Sequence, residues 1–90
     1  MRQTDIDSKW KRLGFSCDVW VDPPGQKWEN YRHETDELVY VLEGEIELEI
    51  LGTPKTLKKG DEAFIPAGAV HSVRNIGGSQ AKWLYGYKSR

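Results

Sequence analysis

The run Glu45-Ile46-Glu47-Leu48-Glu49-Ile50-Leu51 alternates acidic and apolar side chains. That is the period of a strand with one wet face and one dry face. Leu38 to Leu42 is apolar without a break, so this strand is expected to be covered on both faces. Glu43-Gly44 between the two reads as a tight turn. Gly52-Thr53-Pro54 closes the acidic strand, residues 55–59 form a short return strand, and Gly60-Asp61 turns the chain again. Ala63-Phe64-Ile65 is a short buried run stopped by Pro66-Ala67-Gly68, because proline cannot donate to a ladder. Residues 70–76 and 82–87 are two further strands separated by Gly77-Gly78, with Trp83, Tyr85 and Tyr87 on one face of the last. Near the N-terminus, Phe15, Cys17, Val19 and Val21 alternate with Ser16, Asp18 and Trp20, and Pro23-Pro24-Gly25 ends that strand. Residues 8–13 read as a single helical turn closed by Gly14. Strand after strand with little helix predicts an all-β sandwich or barrel of antiparallel sheets.

Ninety residues are expected to make one domain, spanning 1–90. A chain this short has a thin core, and such domains often gain stability from a metal or an oligomeric partner. A homodimer is expected, because the Leu38, Tyr40, Leu42 face lacks an obvious cover within so small a barrel. The formal net charge is −1 and the basic residues are dispersed, so no stripe for nucleic acid is expected. Lys55, Lys58 and Lys59 and the stripe Glu45, Glu47, Glu49 read as solvated faces that pair across a hairpin, worth ~0.2–1 kcal/mol per pair. The single cysteine, Cys17, excludes an internal disulfide and reads as a small buried hydrophobe. No apolar run approaches the roughly 18 residues of a membrane span. Residues 1–9 are too polar for a signal peptide, so a cytoplasmic location is expected.

The metal-capable side chains are few. His33 and Glu37 lie four apart, just before the doubly covered strand, and His71 follows Gly68 by three at the start of another. Two imidazoles and a carboxylate with open positions suit non-haem Fe(II) and its neighbours. Spacing alone leaves a surface histidine as the alternative. A buried Glu37 without a cation would be costly or protonated, which favours a metal or a nearby Arg32 or Arg74. Asp36 should face away from Glu37 and is not counted as a ligand.

The glycines extend the pattern. Gly25, five residues, Tyr31, one residue, His33, three residues, Glu37, six residues and Gly44 form one unit over 25–44; Gly60, Pro66, Gly68, His71 and Asn75 form a second over 60–75, fifteen residues later. This arrangement resembles the two motifs of the cupin superfamily, G-x5-H-x-H-x3-E-x6-G and G-x5-P-x-G-x2-H-x3-N, and is similar to its compact microbial members. The resemblance implies a small conical barrel of two facing sheets, with His33, Glu37 and His71 at metal-ligand positions. Tyr31 stands where the family has its first histidine. Residues i and i+2 of a strand face the same way, so Tyr31 and His33 are expected to point inward together. Tyr31 then ligates as phenolate, hydrogen-bonds a bound water or substrate, or packs in the barrel mouth.

Trp28 is a candidate pocket residue and Asn75 a possible one, with turning the strand end as the alternative for Asn75. Trp83, Tyr85 and Tyr87 read as core or dimer interface. The function expected from the resemblance is that of a metal-dependent enzyme on a small organic molecule, of oxygenase, isomerase or lyase type. Its metal would be Fe, Mn, Ni, Cu or Zn, with Tyr31 as the catalytic proton donor or acceptor. The alternatives are a metal- or ligand-binding module without catalysis and a structural barrel without metal.

Overall fold

The computed structural model of the chain describes residues 3–89, so Met1, Arg2 and Arg90 of the expected 1–90 domain lie outside the described residues. A helix, α1 (Gln3–Arg12), precedes eight strands: β1 (Asp18–Asp22), β2 (Lys27–Tyr31), β3 (Glu37–Glu43), β4 (Glu45–Ile50), β5 (Thr53–Lys58), β6 (Glu62–Ile65), β7 (His71–Arg74) and β8 (Ala81–Tyr87). They form two antiparallel four-stranded sheets, in the orders β1-β8-β3-β6 and β2-β7-β4-β5. The all-β architecture expected from the alternation is the one observed.

Most connections cross from one sheet to the other. The tight turn expected at Glu43-Gly44 is present, and it carries the chain from β3 in one sheet to β4 in the other. Gly44 has φ +79°, and a Cβ there would sit 2.8 Å from the Gln80 carbonyl oxygen, so a side chain is excluded on two counts. Among the described residues, the one hairpin between consecutive strands of a sheet joins β4 to β5 through Leu51 and Gly52. Both have positive φ, 51° and 84°, the signature of a two-residue turn whose twist matches the strands. Pro54 lies inside β5 rather than ending a strand, which an edge strand allows.

Two apolar clusters follow from the parity of β3. Val39 and Val41 face between the sheets and pack with Ile46, Leu48, Leu57, Ile65, Val73 and Trp83. Leu38 and Tyr40 face outward and are covered by Ile6, Trp10, Phe15 and Leu84. The helix is longer than the single turn expected from sequence, and it supplies the cover that had been sought in a second subunit. Ile6 and Trp10 are fully buried. The Trp10 indole N–H also donates to Glu62 Oε1 at 2.8 Å. The helix ends in a Schellman arrangement: Phe15 N–H bonds the Trp10 carbonyl at 2.8 Å and Gly14 N–H bonds that of Lys11 at 3.0 Å, with Gly14 at φ +86°. Phe15 then packs with Trp10, the contact that accompanies this cap. Cys17 packs against the same cluster, and burial pushes its thiol up to about 11, which agrees with an inert apolar role.

The acidic stripe is paired differently from the expectation. Glu47 and Glu49 bond Arg74 Nη1 at 2.8 and 3.0 Å, and Glu29 bonds its Nη2 at 2.8 Å. Arg74 on β7 lies between β2 and β4, so its guanidinium reaches both neighbours, whereas Glu47 and Glu49 face Thr56 and Pro54 across the hairpin. These carboxylates hold Arg74, which removes it as a counter-ion for Glu37. Among the described residues no helix is long and apolar enough to cross a membrane.

Candidate metal centre and aromatic cavity

Glu37 opens β3 on the same parity as Val39 and Val41, so its carboxylate points between the sheets and is buried. His71 opens β7 on the parity of Val73 and is buried beside it. His33 follows the end of β2 in the connection to β3. Glu37 Oε1 lies 3.5 Å from Nε2 of both His33 and His71. One ligand atom from each of the three residues lies within 4.8 Å of the others. The structure thus brings together the three residues singled out by spacing. Asp36 is turned away, its carboxylate accepting from Ala67 N–H at 2.8 Å.

The electrostatics suit a cation. Among the described residues Glu37 Oε1 is a buried side-chain oxygen without a hydrogen-bond partner, a costly state for a polar atom. Burial pushes the Glu37 carboxyl up to about 7. Burial, and then the His71 imidazole nearby, hold His33 below its ordinary value, keeping it in the neutral form that ligates. His71 Nδ1 donates to the Ala69 carbonyl at 3.1 Å, leaving the Nε2 lone pair free toward Glu37. An orphaned carboxylate oxygen between two imidazole nitrogens fits a divalent metal, with the carbonyl of Ala69 as the outer support of one ligand.

The three residues sit in the wall of a cavity of about 250 Å³, lined also by Trp20, Trp28, Tyr31, Val73, Trp83, Tyr85 and Tyr87. Trp28 and Tyr31 both reach it although they are three apart on β2. The register shifts between them, and Asn30 takes φ +57°, so a bulge restores Tyr31 to the inner side. Strict period-2 counting would have put Tyr31 on the face opposite Trp28. The Tyr31 and His33 rings stack at 6.5 Å between centroids, so they point the same way, as expected. The phenol within reach of the ligand cluster is nevertheless Tyr87, whose hydroxyl lies 3.4 Å from His33 Nε2. Burial, and then the Glu37 charge, push it up to about 12.

Two expectations need correction. Asn75 does not line the cavity. Its amide donates to the carbonyls of Asp22, Pro23 and Ser79, and its Oδ1 accepts from Gly77 N–H. β7 has ended at Arg74, so the four-residue step from His71 does not keep Asn75 on the same strand face. Tyr85 and Tyr87, read as core or dimer interface, line the cavity mouth, and Trp83 serves both core and cavity. Asp22 was not singled out at all. It is buried on β1, on the parity of Trp20, and accepts indole N–H bonds from Trp20 at 2.7 Å, Trp28 at 3.1 Å and Trp83 at 3.3 Å. An indole is a donor only, so several tryptophans and one acidic residue on an inner-facing parity were the signal in the sequence.

Comparisons with known proteins place this geometry in context. A family model described as "Cupin domain" matches residues 18–87. An uncharacterized protein of Aquifex aeolicus (strain VF5) is 52% identical over 46 residues, covering 51% of this chain and 38% of that one. The crystal structure of TT1209 from Thermus thermophilus superimposes with a TM-score of 0.77 at 36% identity, over 84% of this chain and 73% of that chain. That of a predicted oxalate decarboxylase from Thermotoga maritima gives 0.78 at 25% identity, over 92% of this chain and 74% of that chain. The matches span between 27% and 52% of the length of the curated relatives.

Proposed function

This chain belongs to the cupin family, and we propose that it is a metal-dependent enzyme acting on a small organic molecule, with His33, Glu37 and His71 as the protein ligands. The observation that carries the reading is Glu37 Oε1, buried, unpartnered and 3.5 Å from two imidazole Nε2 atoms. Two histidines and a carboxylate suit Fe, Mn, Ni, Cu or Zn. The likeness to a predicted oxalate decarboxylase supports a substrate with oxygen donors. When bound, the metal supplies Lewis acidity at positions the protein leaves open.

The chain's own residues do the rest. The aromatic wall gives the substrate an apolar surface to pack against. Tyr87 keeps its proton throughout the neutral range, because it is pushed up to about 12, and so donates a hydrogen bond at the edge of the ligand cluster. Tyr31, exposed at the mouth with its ring against those of Trp28 and His33, is the residue we assign to exchange a proton with the substrate. A second reading, a ligand-binding module without catalysis, is favoured by Tyr31 standing at the family's first histidine position. Metal analysis of the untagged protein beside His71→Ala tests the proposal. Near-stoichiometric metal that disappears in the variant supports it, and failure to take up added Fe(II) or Zn(II) sinks it. Turnover then separates enzyme from binding module.

A further inference from the structure

The aromatic contacts around the cavity close on themselves. Trp20 meets Trp28 at 5.7 Å between ring centroids, Trp28 meets Tyr31 at 6.2 Å, and Tyr31 meets His33 at 6.5 Å. His33 meets Tyr87 at 4.9 Å, Tyr87 meets Tyr85 at 5.9 Å, and Tyr85 returns to Trp20 at 6.4 Å. Six rings drawn from β1, β2, β8 and the β2–β3 connection thus form one collar. In an idealised flat hexagon of side about 6 Å the centre would lie about 6 Å from each ring, within cation–π reach.

The chemistry of the collar favours a cation. Among the described residues no lysine or arginine lines the cavity, while Glu37 does. The indole N–H groups of Trp20, Trp28 and Trp83 are all spent on the buried carboxylate of Asp22. They are unavailable as donors to an anion. A hydrogen bond from an indole N–H to a carboxylate also pushes electron density into the ring, which strengthens its face as a cation acceptor. At about 250 Å³ the space is below the roughly 300 Å³ typical of drug-sized sites, and it suits a compact group.

We propose that the collar of Trp20, Trp28, Tyr31, His33, Tyr87 and Tyr85 binds an organic onium group, a quaternary ammonium or sulfonium, of a small ligand. The inference deepens the proposed function, resting on the reading that this cavity is the functional site. The substrate is then a small zwitterion whose oxygen donors face His33, Glu37 and His71 while its onium group fills the collar. Asp22 is a positioning residue, since it acts only through the three indoles.

The test uses metal-stripped protein, so that failure of the metal reading leaves it intact. Choline and its neutral isostere 3,3-dimethylbutan-1-ol are titrated against tryptophan fluorescence and by calorimetry. Choline is expected to bind at least about tenfold more tightly than the isostere. Trp20→Leu, at a half-exposed position, should lose that preference while keeping the native circular dichroism spectrum and metal uptake. Tyr85→Phe, which keeps the ring, should retain it. Equal affinity for the two probes, no binding of either, or an undiminished preference in Trp20→Leu overturns the proposal.

Discussion

Glu37 concentrates the chemistry of the site in one side chain. The folded chain holds its proton more tightly than the unfolded chain, because burial pushes the group up to about 7 from an ordinary 4.5. Below the unfolded value both states are protonated and burial of the charge costs nothing. As pH rises from about 4.5 toward about 7, the unfolded chain ionises this carboxyl while the metal-free folded state keeps it protonated beside His33, His71 and Tyr87, so stability is lost until the folded group ionises as well. His33 acts the other way. It is held below its ordinary 6.5, so its contribution is lost as pH falls through that region. Comparing metal-free wild type with Glu37→Gln isolates the carboxyl. The stability difference should move against the wild type by on the order of 3 kcal/mol between about pH 5 and about pH 8, measured by urea unfolding. A flat difference would mean that Glu37 is not desolvated in solution. Metal should reverse the sign, because ligation needs the carboxylate, so the rise in Tm on adding Zn(II) should grow with pH through about 7 and vanish in Glu37→Gln.

The sequence marked His33, Glu37 and His71 because they are metal-capable side chains at the spacing of the two cupin motifs, whose glycines recur around them. Asn75 stayed open between cavity wall and strand end because parity counted from His71 does not tell where β7 stops; the strand ends at Arg74, and Asn75 turns the chain there. Asp22 was missed because its role depends on three indoles that arrive from β1, β2 and β8; the sequence shows the tryptophans and the acidic residue, and only the fold shows that they meet.

At the scale of elements, α1 and β8 carry the most informative contacts. The helix was underestimated because its apolar positions are only Ile6 and Trp10, too few to stand out by period against a polar background. Both are nevertheless fully buried against β3. Trp10→Ala should therefore cost about 3–5 kcal/mol, read as a lower urea midpoint, and should expose the Leu38 and Tyr40 face to a hydrophobic dye. An unchanged midpoint would mean that the helix does not dock in solution. Gly86 in β8 is fixed by the close approach of the Ser16 carbonyl oxygen, which a Cβ would overlap, with the Trp10 ring at 2.9 Å. Gly86→Ala should destabilise at least as much as a typical overpacked core substitution, about 1–3 kcal/mol, with thermal unfolding as the measurement. The alternation of Trp83, Tyr85 and Tyr87 was legible. Their use as cavity wall was not, because the same face is core at one end and mouth at the other.

At the scale of the molecule, two sheets enclose a core at one end and leave a cavity at the other, and the ligand residues stand where the cavity wall meets β3 and β7. A small domain has little stability in reserve, so a ligand bound only by the folded state should raise Tm measurably. The outer face of the second sheet adds a charge cluster of Arg74 with Glu29, Glu47 and Glu49. Arg74→Met leaves three neighbouring carboxylates without their shared cation, and its Tm deficit should shrink as salt is added. A deficit independent of salt would mean that the arginine acts through packing.

The sequence by itself determined the all-β class, the doubly covered strand, the turn positions and the three candidate ligands. The first three rest on short-range periodicity or on residues whose backbone demands are local, and the ligands on metal-capable side chains at the spacing of the cupin motifs. Only the tertiary structure decided what lies between the sheets. The chain's repeated crossing from sheet to sheet, the bulge at Asn30 that turns Tyr31 inward, the docking of α1 and the gathering of three indoles on Asp22 all depend on side chains far apart in sequence meeting at ångström distances. Periodicity gives the face on which a residue lies, and it cannot say which distant residues share that space.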